Sequence, residues 1–308
     1  MTITRAPVDH PTLGITLMCS AVALWVVHDA ISKWLTESYS VFQVFLLRSV
    51  FALGPIAIFL HREGGLRRLR TPRPGRLLFR GALGVTSFGC FLAALPLMPL
   101  PDVFAIVMAG PLLVTCLSSL ILGEQVGWRR WSAVSIGFVA VLFMVRPGGD
   151  IVPAGALLLL LSVIFYALNM IFTRIFGRSE TASTMAFYAN LVNLAVGASA
   201  IFWVWRAPDL LAWALFGATG LLAGLAAYAM TQAFRIATPA TLAPFEYTAM
   251  VWALVLGFVV WRELPSLSVL GSALVVVGSG IYVLHRERVR AGQLAPVEAP
   301  PEDRPTGG

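Results

Sequence analysis

From Thr12 to Leu284 the chain is a succession of apolar stretches, each close to a bilayer in length, broken only by short loops rich in Gly, Pro and Arg. Hydrocarbon offers no partner to a backbone N–H or C=O. A chain of this kind therefore folds as helices, each closing its own hydrogen bonds. With about 20 apolar residues needed per crossing, cutting at the loops gives ten predicted segments. They are Thr12–Leu35, Val41–Leu60, Gly75–Leu95, Asp102–Leu122, Gly127–Val145, Pro153–Arg174, Ala182–Trp205, Leu210–Phe234, Pro239–Trp261 and Leu267–His285. The linkers are short, which predicts that consecutive helices are antiparallel neighbours. Only 12% of the residues are charged, against roughly 25% in a soluble domain. The fold class is an all-α polytopic membrane protein.

The charges test this division. With the N-terminus placed in the cytoplasm and sides assigned alternately, 17 of the 22 Lys and Arg fall on the inner side, seven of them between Arg62 and Arg80. Lys33, Arg146, Arg206 and Arg262 fall near the outer side, and Arg48 lies within the second segment. By the positive-inside rule both termini are cytoplasmic. The net charge of +7 is spread over loops, so it is no nucleic-acid signal. Cys19, Cys90 and Cys116 lie in apolar segments without disulfide or metal spacing, and read as buried thiols. The first apolar run is too long for a signal-peptide core and lacks a clear cleavage site. The Pro-, Glu- and Gly-rich end of the chain reads as a disordered tail.

A repeat underlies the pattern. Leu100–Gly148, shifted by 139 residues, lies against the stretch from Pro239, with Glu124 on Glu263. In both copies a Pro-interrupted helix ends in Glu, a short loop follows, and a Gly-containing helix closes the unit. At a shift of 141, Trp25 falls on Tyr166, His28 on Asn169 and Lys33 on Arg174. The predicted division is an N-terminus 1–11, a first repeat 12–148, a second repeat 149–288 and a tail 289–308. Five helices per repeat is an odd number, so the second copy enters the membrane inverted. Inverted repeats with interrupted helices point to a secondary transporter with a site near the midplane.

Several polar residues lie deep in these segments. The ninth carries Pro244 and Glu246 in its first third. A carboxylate there is costly and marks a substrate or ion path, and the proline is expected to free backbone carbonyls beside it. Tyr247 and Trp252 follow, and free carbonyls, an acid and aromatics suit a planar polar ring or a protonated amine. A polar contact to a neighbouring helix is the plainer role for Glu246. In the first segment Trp25, Asp29 and Lys33 share a face, flanked by His28 and Ser32. Asp29 and Lys33 pair structurally or Lys33 snorkels outward, or else Asp29 lines a cavity and accepts a proton or meets a cationic group of the substrate. His28 either shares a proton with Asp29 or is a packed hydrogen-bonding residue. Arg48 needs a carboxylate, carbonyls or water, and Asp29 is the candidate partner. Asn169, Asn190, Asn193, Tyr228 and Gln232 are secondary liners or interhelical hydrogen bonds. Glu124 and Glu263 sit beside Arg129, Arg130 and Arg262 and read as loop ion pairs. Gly217, Gly220 and Gly224 permit close backbone approach.

Gly123-Glu124, Arg262-Glu263, Gly137-Phe138-Val139 and Leu270-Gly271-Ser272-Ala273-Leu274 with Gly278 resemble the EamA branch of the drug/metabolite transporters, over about Leu13–His285. His28-Asp29-Ala30 with Lys33, Arg48, and Ala243-Pro244-Phe245-Glu246-Tyr247-Thr248 are similar to the bacterial group that includes riboflavin and S-adenosylmethionine uptake carriers. The resemblance implies two five-helix repeats around a central cavity lined by segments 1, 3, 4, 6, 8 and 9, with no ATPase subunit.

The expected function is alternating-access transport of a small organic metabolite, one half rocking against the other. Riboflavin or another nitrogen-rich compound is the leading substrate, with an S-adenosylmethionine carrier or an amino-acid exporter as alternatives. Expected partners are that substrate, a coupling proton and the bilayer, with no nucleic acid, cofactor or metal, in a monomer or homodimer. An enzyme would need a catalytic dyad or His cluster that does not stand out. A pump would need a Walker loop, which is absent. A receptor or scaffold would not need inverted, interrupted halves.

Overall fold

A computed structural model describes residues 11–122, 128–145, 154–176, 180–236, 242 and 245–294. Helix α1 spans Pro11–Ser38, α2 Val41–Arg62, α3 Pro74–Ala94, α4 Leu100–Val107, α5 Gly110–Leu122 and α6 Trp128–Val145. In the second half α7 spans Ala154–Phe176, α8 Ala182–Ser199, α9 Ile201–Val204, α10 Leu210–Ile236, α11 Thr248–Trp261 and α12 Leu267–Leu294. Helix occupies each of the ten predicted segments, and no strand occurs among the described residues. Among the described residues six helical stretches are long and apolar enough to cross a membrane, Leu100–Ile121 counted across its break, and Thr248–Trp261 and Val269–Ser279 are shorter apolar helices. Large apolar side chains cover the outside, among them Phe202, Trp203 and Trp128 near helix ends. Aromatic residues at such positions suit the lipid–water interface.

The helix starts have local causes. Ser40 accepts from the Gln43 N–H to open α2, Thr181 from that of Thr184 to open α8, and Asp209 from that of Ala212 to open α10. Prolines at the first turns of α3 and α4 occupy positions where a missing N–H costs nothing. The seventh segment is two helices divided at Ala200. The tenth runs to Leu294, past residue 289 where the tail was expected to begin, because good helix formers continue to Pro296. Residues 295–308 lie outside the described residues, as do Glu124, Arg146, Arg178, Pro239 and Pro244.

The breaks inside the fourth and ninth segments occupy matching places. The fourth is interrupted at residues 108–109, between α4 and α5. Pro111 accounts for this, since its ring would collide with the Val107 carbonyl in a continuous helix. The ninth is interrupted at Tyr247, between the helical Phe245–Glu246 and α11. The shift of 139 carries Met108 onto Tyr247, so the two breaks are equivalent positions of the two repeats.

Packing obeys the same exchange. The principal contacts are α1 with α10, α3 with α7, α2 with α8, and α6 with α12. Next come α2 with α10, α3 with α8, α1 with α11, α7 with α5 and α4, and α4 with α11. Exchanging the repeats sends each of these pairs onto another in the set or onto itself. Chain neighbours such as α1 and α2 touch much less than cross-half pairs. The expectation that consecutive helices are the neighbours is therefore corrected. Each half is embedded among helices of the other, so no boundary divides the two as intact bodies in this conformation.

Glycines set the close crossings. A β-carbon at Gly220 of α10 would lie 2.6 Å from Phe51 Cβ and 3.0 Å from the Ala52 nitrogen of α2. Its repeat mate, Gly81 of α3, meets Val192 and Ala189 of α8 in the same way. Gly224 abuts Pro55 as closely. Gly220→Leu is expected to destabilise the protein by about 1–3 kcal/mol through overpacking, read as a lowered melting temperature in detergent. An unchanged melting temperature would show that the α2–α10 crossing relaxes freely.

Candidate functional site

Two groups of polar side chains lie within the helical bundle, and a third closes one end of it. The end group forms where α1 finishes, α4 begins and α11 stops. Lys33 is almost fully buried (3% exposed). Its Nζ donates to Glu263 Oε1 at 2.6 Å, Glu263 Oε2 at 2.8 Å and the Met98 carbonyl at 3.0 Å. An ammonium has three donors, and all three are accounted for. Glu263 Oε2 also accepts the Leu100 N–H at 2.8 Å. This N–H, in the first turn of α4, has no intrahelical partner, and a carboxylate is favoured there. Trp261 lies 4.9 Å from the Lys33 ammonium and its Nε1 donates to Glu37 at 2.9 Å. Asp102 Oδ1 lies buried in the same turn of α4 without a partner among the described residues.

Local geometry delivers Glu263 to this place. Arg262 adopts a left-handed conformation (φ 58°), and the N–H groups of Arg262 and Glu263 turn back onto the Phe258 and Gly257 carbonyls. Gly257 allows α11 to pass Pro101, where a β-carbon would sit 2.8 Å from the ring. The reversal aims Glu263 across the bundle at Lys33, while Arg262 lies over the Phe258 ring at 5.2 Å. Glu263 thus pairs with Lys33 rather than with its neighbour Arg262, and Lys33 is held by Glu263 rather than by Asp29.

One turn along α1 from this clasp lies the first interior group. His28 is fully buried and its Nδ1 is 2.8 Å from Asp29 Oδ1. Trp25 meets the His28 ring edge-on at 5.4 Å between centroids. Arg48 of α2 places its guanidinium 4.3 Å from the Phe88 ring centre of α3, and Phe88 also lies 6.0 Å from His28. Arg48 lies within electrostatic reach of Asp29, yet no N···O contact within 4.0 Å joins them. Arg48 has neither a hydrogen bond nor an ion pair to a described residue, and its Nε is buried and unpartnered. His28 Nε2 is likewise unpartnered.

The second interior group surrounds the break in the ninth segment. Glu246 is half-buried and has no ion pair or hydrogen bond to a described residue. Tyr247 follows it in the chain, and Tyr166 of α7 lies within electrostatic reach of it. The Tyr247 hydroxyl is buried without a partner. Tyr166 packs beside Gly110 at the opposing break, where a β-carbon would lie 3.4 Å from the ring. Of the carbonyls expected to be freed here, that of Phe245 is taken by Thr248 Oγ1 at 2.6 Å.

The α3–α7 interface links the two interior groups. Ser87 donates to the Ser162 carbonyl at 2.9 Å, one residue from Phe88. Asn169, three residues after Tyr166, packs against Gly84 and keeps a buried, unpartnered Oδ1. The secondary candidates stand apart. Tyr228 stacks on Phe59 at 5.4 Å, Asn190 donates to the Ser49 carbonyl, Gln232 is half-buried on α10, and Trp252 is exposed on α11. Phe88, Tyr166 and Asp102 enter these groups although sequence reasoning did not assign them there. Only Tyr166 had a signal, as the repeat mate of Trp25.

The description "EamA-like transporter family" matches residues 12–146 and again 153–284. The chain belongs to this family. The family model thus matches twice along the chain, and the protein is a multi-pass membrane transporter of small metabolites. It is 25% identical over 264 residues to the S-adenosylmethionine uptake transporter of Rickettsia bellii, covering 85% of this chain and 89% of that one. It is 25% identical over 283 residues to the riboflavin transporter of Rhizobium johnstonii, covering 87% and 92%. Over 268 residues it is 26% identical to the pseudopaline exporter CntI of Pseudomonas aeruginosa, covering 86% and 93%. A crystal structure of a protein with 19% identity superposes with a TM-score of 0.64 over 90% of this chain and 99% of the other, and shares its fold.

The clasp carries a stability prediction. Glu263→Gln leaves a buried ammonium without its counter-charge, and breaking such a pair costs about 3–5 kcal/mol. The double variant Lys33→Met, Glu263→Leu is expected to recover part of that loss in thermal unfolding, because it buries no unpaired charge. A double variant no more stable than Glu263→Gln would mean that the clasp is not the source of the stability.

Proposed function

We propose that the protein takes up a nitrogen-rich metabolite across a bacterial inner membrane by alternating access, with both termini in the cytoplasm and Glu246 coupling transport to a proton. The observation that carries the proposal is a carboxylate at a helix break in the apolar bundle with no protein counter-charge among the described residues. Such a group is costly in lipid and persists where it serves a substrate or an ion. Its repeat mate is Val107, so the repeat architecture does not require an acid there.

The relatives named for S-adenosylmethionine and riboflavin suggest the substrate class. Both compounds carry a planar, nitrogen-containing ring system and a hydroxylated sugar-derived group. Tyr166 and Tyr247 beside Glu246, with Trp25 and Phe88 beside His28 and Arg48, suit such a ring. Alternating access in this bundle would move groups drawn from both repeats. In one, α1 travels with α10 and α11; in the other, their mates α7, α3, α4 and α5 travel together. The clasp then holds one end shut, and by the distribution of Lys and Arg this is the outer end.

Uptake of radiolabelled riboflavin and S-adenosylmethionine into proteoliposomes, with and without an imposed pH gradient, tests the proposal. Glu246→Gln is expected to abolish gradient-driven uptake while leaving membrane insertion intact. Wild-type uptake by that variant would remove Glu246 from the mechanism, and efflux favoured over uptake would reverse the direction.

A further inference from the structure

We infer that Arg48 and Asp29 together form the docking site for an amino-acid head group, so that the transported metabolite carries an α-ammonium and a carboxylate. This deepens the transport reading above and rests on it.

The argument begins with two opposite charges that do not meet. In a medium of low polarity an arginine and an aspartate within electrostatic reach attract strongly. Left to themselves, they close into a bidentate pair. Here Asp29 is turned to its own neighbour His28, at 2.8 Å, and the guanidinium carbon lies over Phe88, at 4.3 Å from the ring centre. No N···O contact within 4.0 Å joins the two. Phe88 packs over the guanidinium, which has no hydrogen bond to a described residue, and a carboxylate is the partner a guanidinium favours. His28 donating through Nδ1 fixes one carboxylate oxygen of Asp29 and keeps the group an acceptor for a cation.

The contrast with Lys33 one turn away excludes a general laxity of packing. There every ammonium donor has a protein acceptor. Arg48 has no hydrogen bond or ion pair to a described residue. A zwitterionic head group supplies what is missing at both poles, its carboxylate to Arg48 and its ammonium to Asp29. S-adenosylmethionine has such a head group and riboflavin has none, so the site discriminates between the two substrate chemistries left open above.

The test uses the purified full-length protein in lipid nanodiscs and measures binding of S-adenosylmethionine, its decarboxylated analogue, methionine and riboflavin. Wild type is expected to bind S-adenosylmethionine about 10- to 100-fold more tightly than the decarboxylated analogue, the span of one charge-assisted contact. Arg48→Ala is expected to erase that preference, Arg48→Lys to reduce it, and Asp29→Asn to weaken S-adenosylmethionine and its analogue alike because both keep the ammonium. If Arg48→Ala does not yield folded protein, Arg48→Lys and Asp29→Asn carry the test. A wild-type preference retained in the Arg48 variants overturns the proposal. So does binding of riboflavin with no binding of any amino-acid probe, which leaves the transport reading standing. Failure of all four probes to bind wild type overturns both readings.

Discussion

A charge inside a bilayer must be answered by protein, and the Lys33–Glu263 pair shows a complete answer. The ammonium of α1 uses its three donors on one carboxylate and one carbonyl, and that carboxylate also accepts an N–H from the first turn of α4. One interaction thus ties together helices from the first and second repeats at the end where α1, α4 and α11 meet. Its formation depends on details elsewhere: the left-handed turn at Arg262, the glycine at 257 that lets α11 pass Pro101, and the break that shortens α4. Burial of so many polar groups is tolerable because they satisfy one another, which is the condition under which a buried pair is retained.

The repeat governs packing more strictly than it governs composition. Gly81 and Gly220 are equivalent positions and make equivalent crossings, and the helix breaks at Met108 and Tyr247 coincide under the same shift. The contact set is nearly unchanged when the halves are exchanged. The two copies differ in their buried charges. Glu246 faces a valine mate, and Arg48 falls outside the matched stretches. A fold able to present the same interior to either side needs symmetry in its crossings. The chemistry of a single bound metabolite does not need it, and Glu246 and Arg48 have no ion pair or hydrogen bond to a described residue.

Much of this architecture was legible in the chain. Ten apolar segments, their inverted pairing and the close-packing glycines of α10 all follow from periodicity, loop composition and one shift of register. What resisted reading was which helix meets which. Short loops suggested neighbours along the chain, whereas the inverted repeats interlock, and the crossings are set by side-chain shape across more than a hundred residues of separation. Lys33 and Glu263 are 230 residues apart. Nothing local to either names the other, so Glu263 was assigned to the adjacent Arg262 and Lys33 to Asp29. Phe88 was invisible for a related reason. One phenylalanine among 19 acquires meaning only when an arginine from another helix lies against it.

The distinction between structural and functional charge in this protein is thus a matter of completeness rather than of residue type or depth. Lys33 and Arg48 are both cations in the helical interior, on adjacent helices and within a few turns of each other. One is surrounded by acceptors to the limit of its donors, and its neighbours hold helix ends in place. The other is steadied only by the face of an aromatic ring, with the nearest carboxylate engaged elsewhere. Asp29 and Arg48 stay apart, acidic on α1 and basic on α2, with no N···O contact within 4.0 Å between them. Two such groups gain most from a ligand that bears both charges.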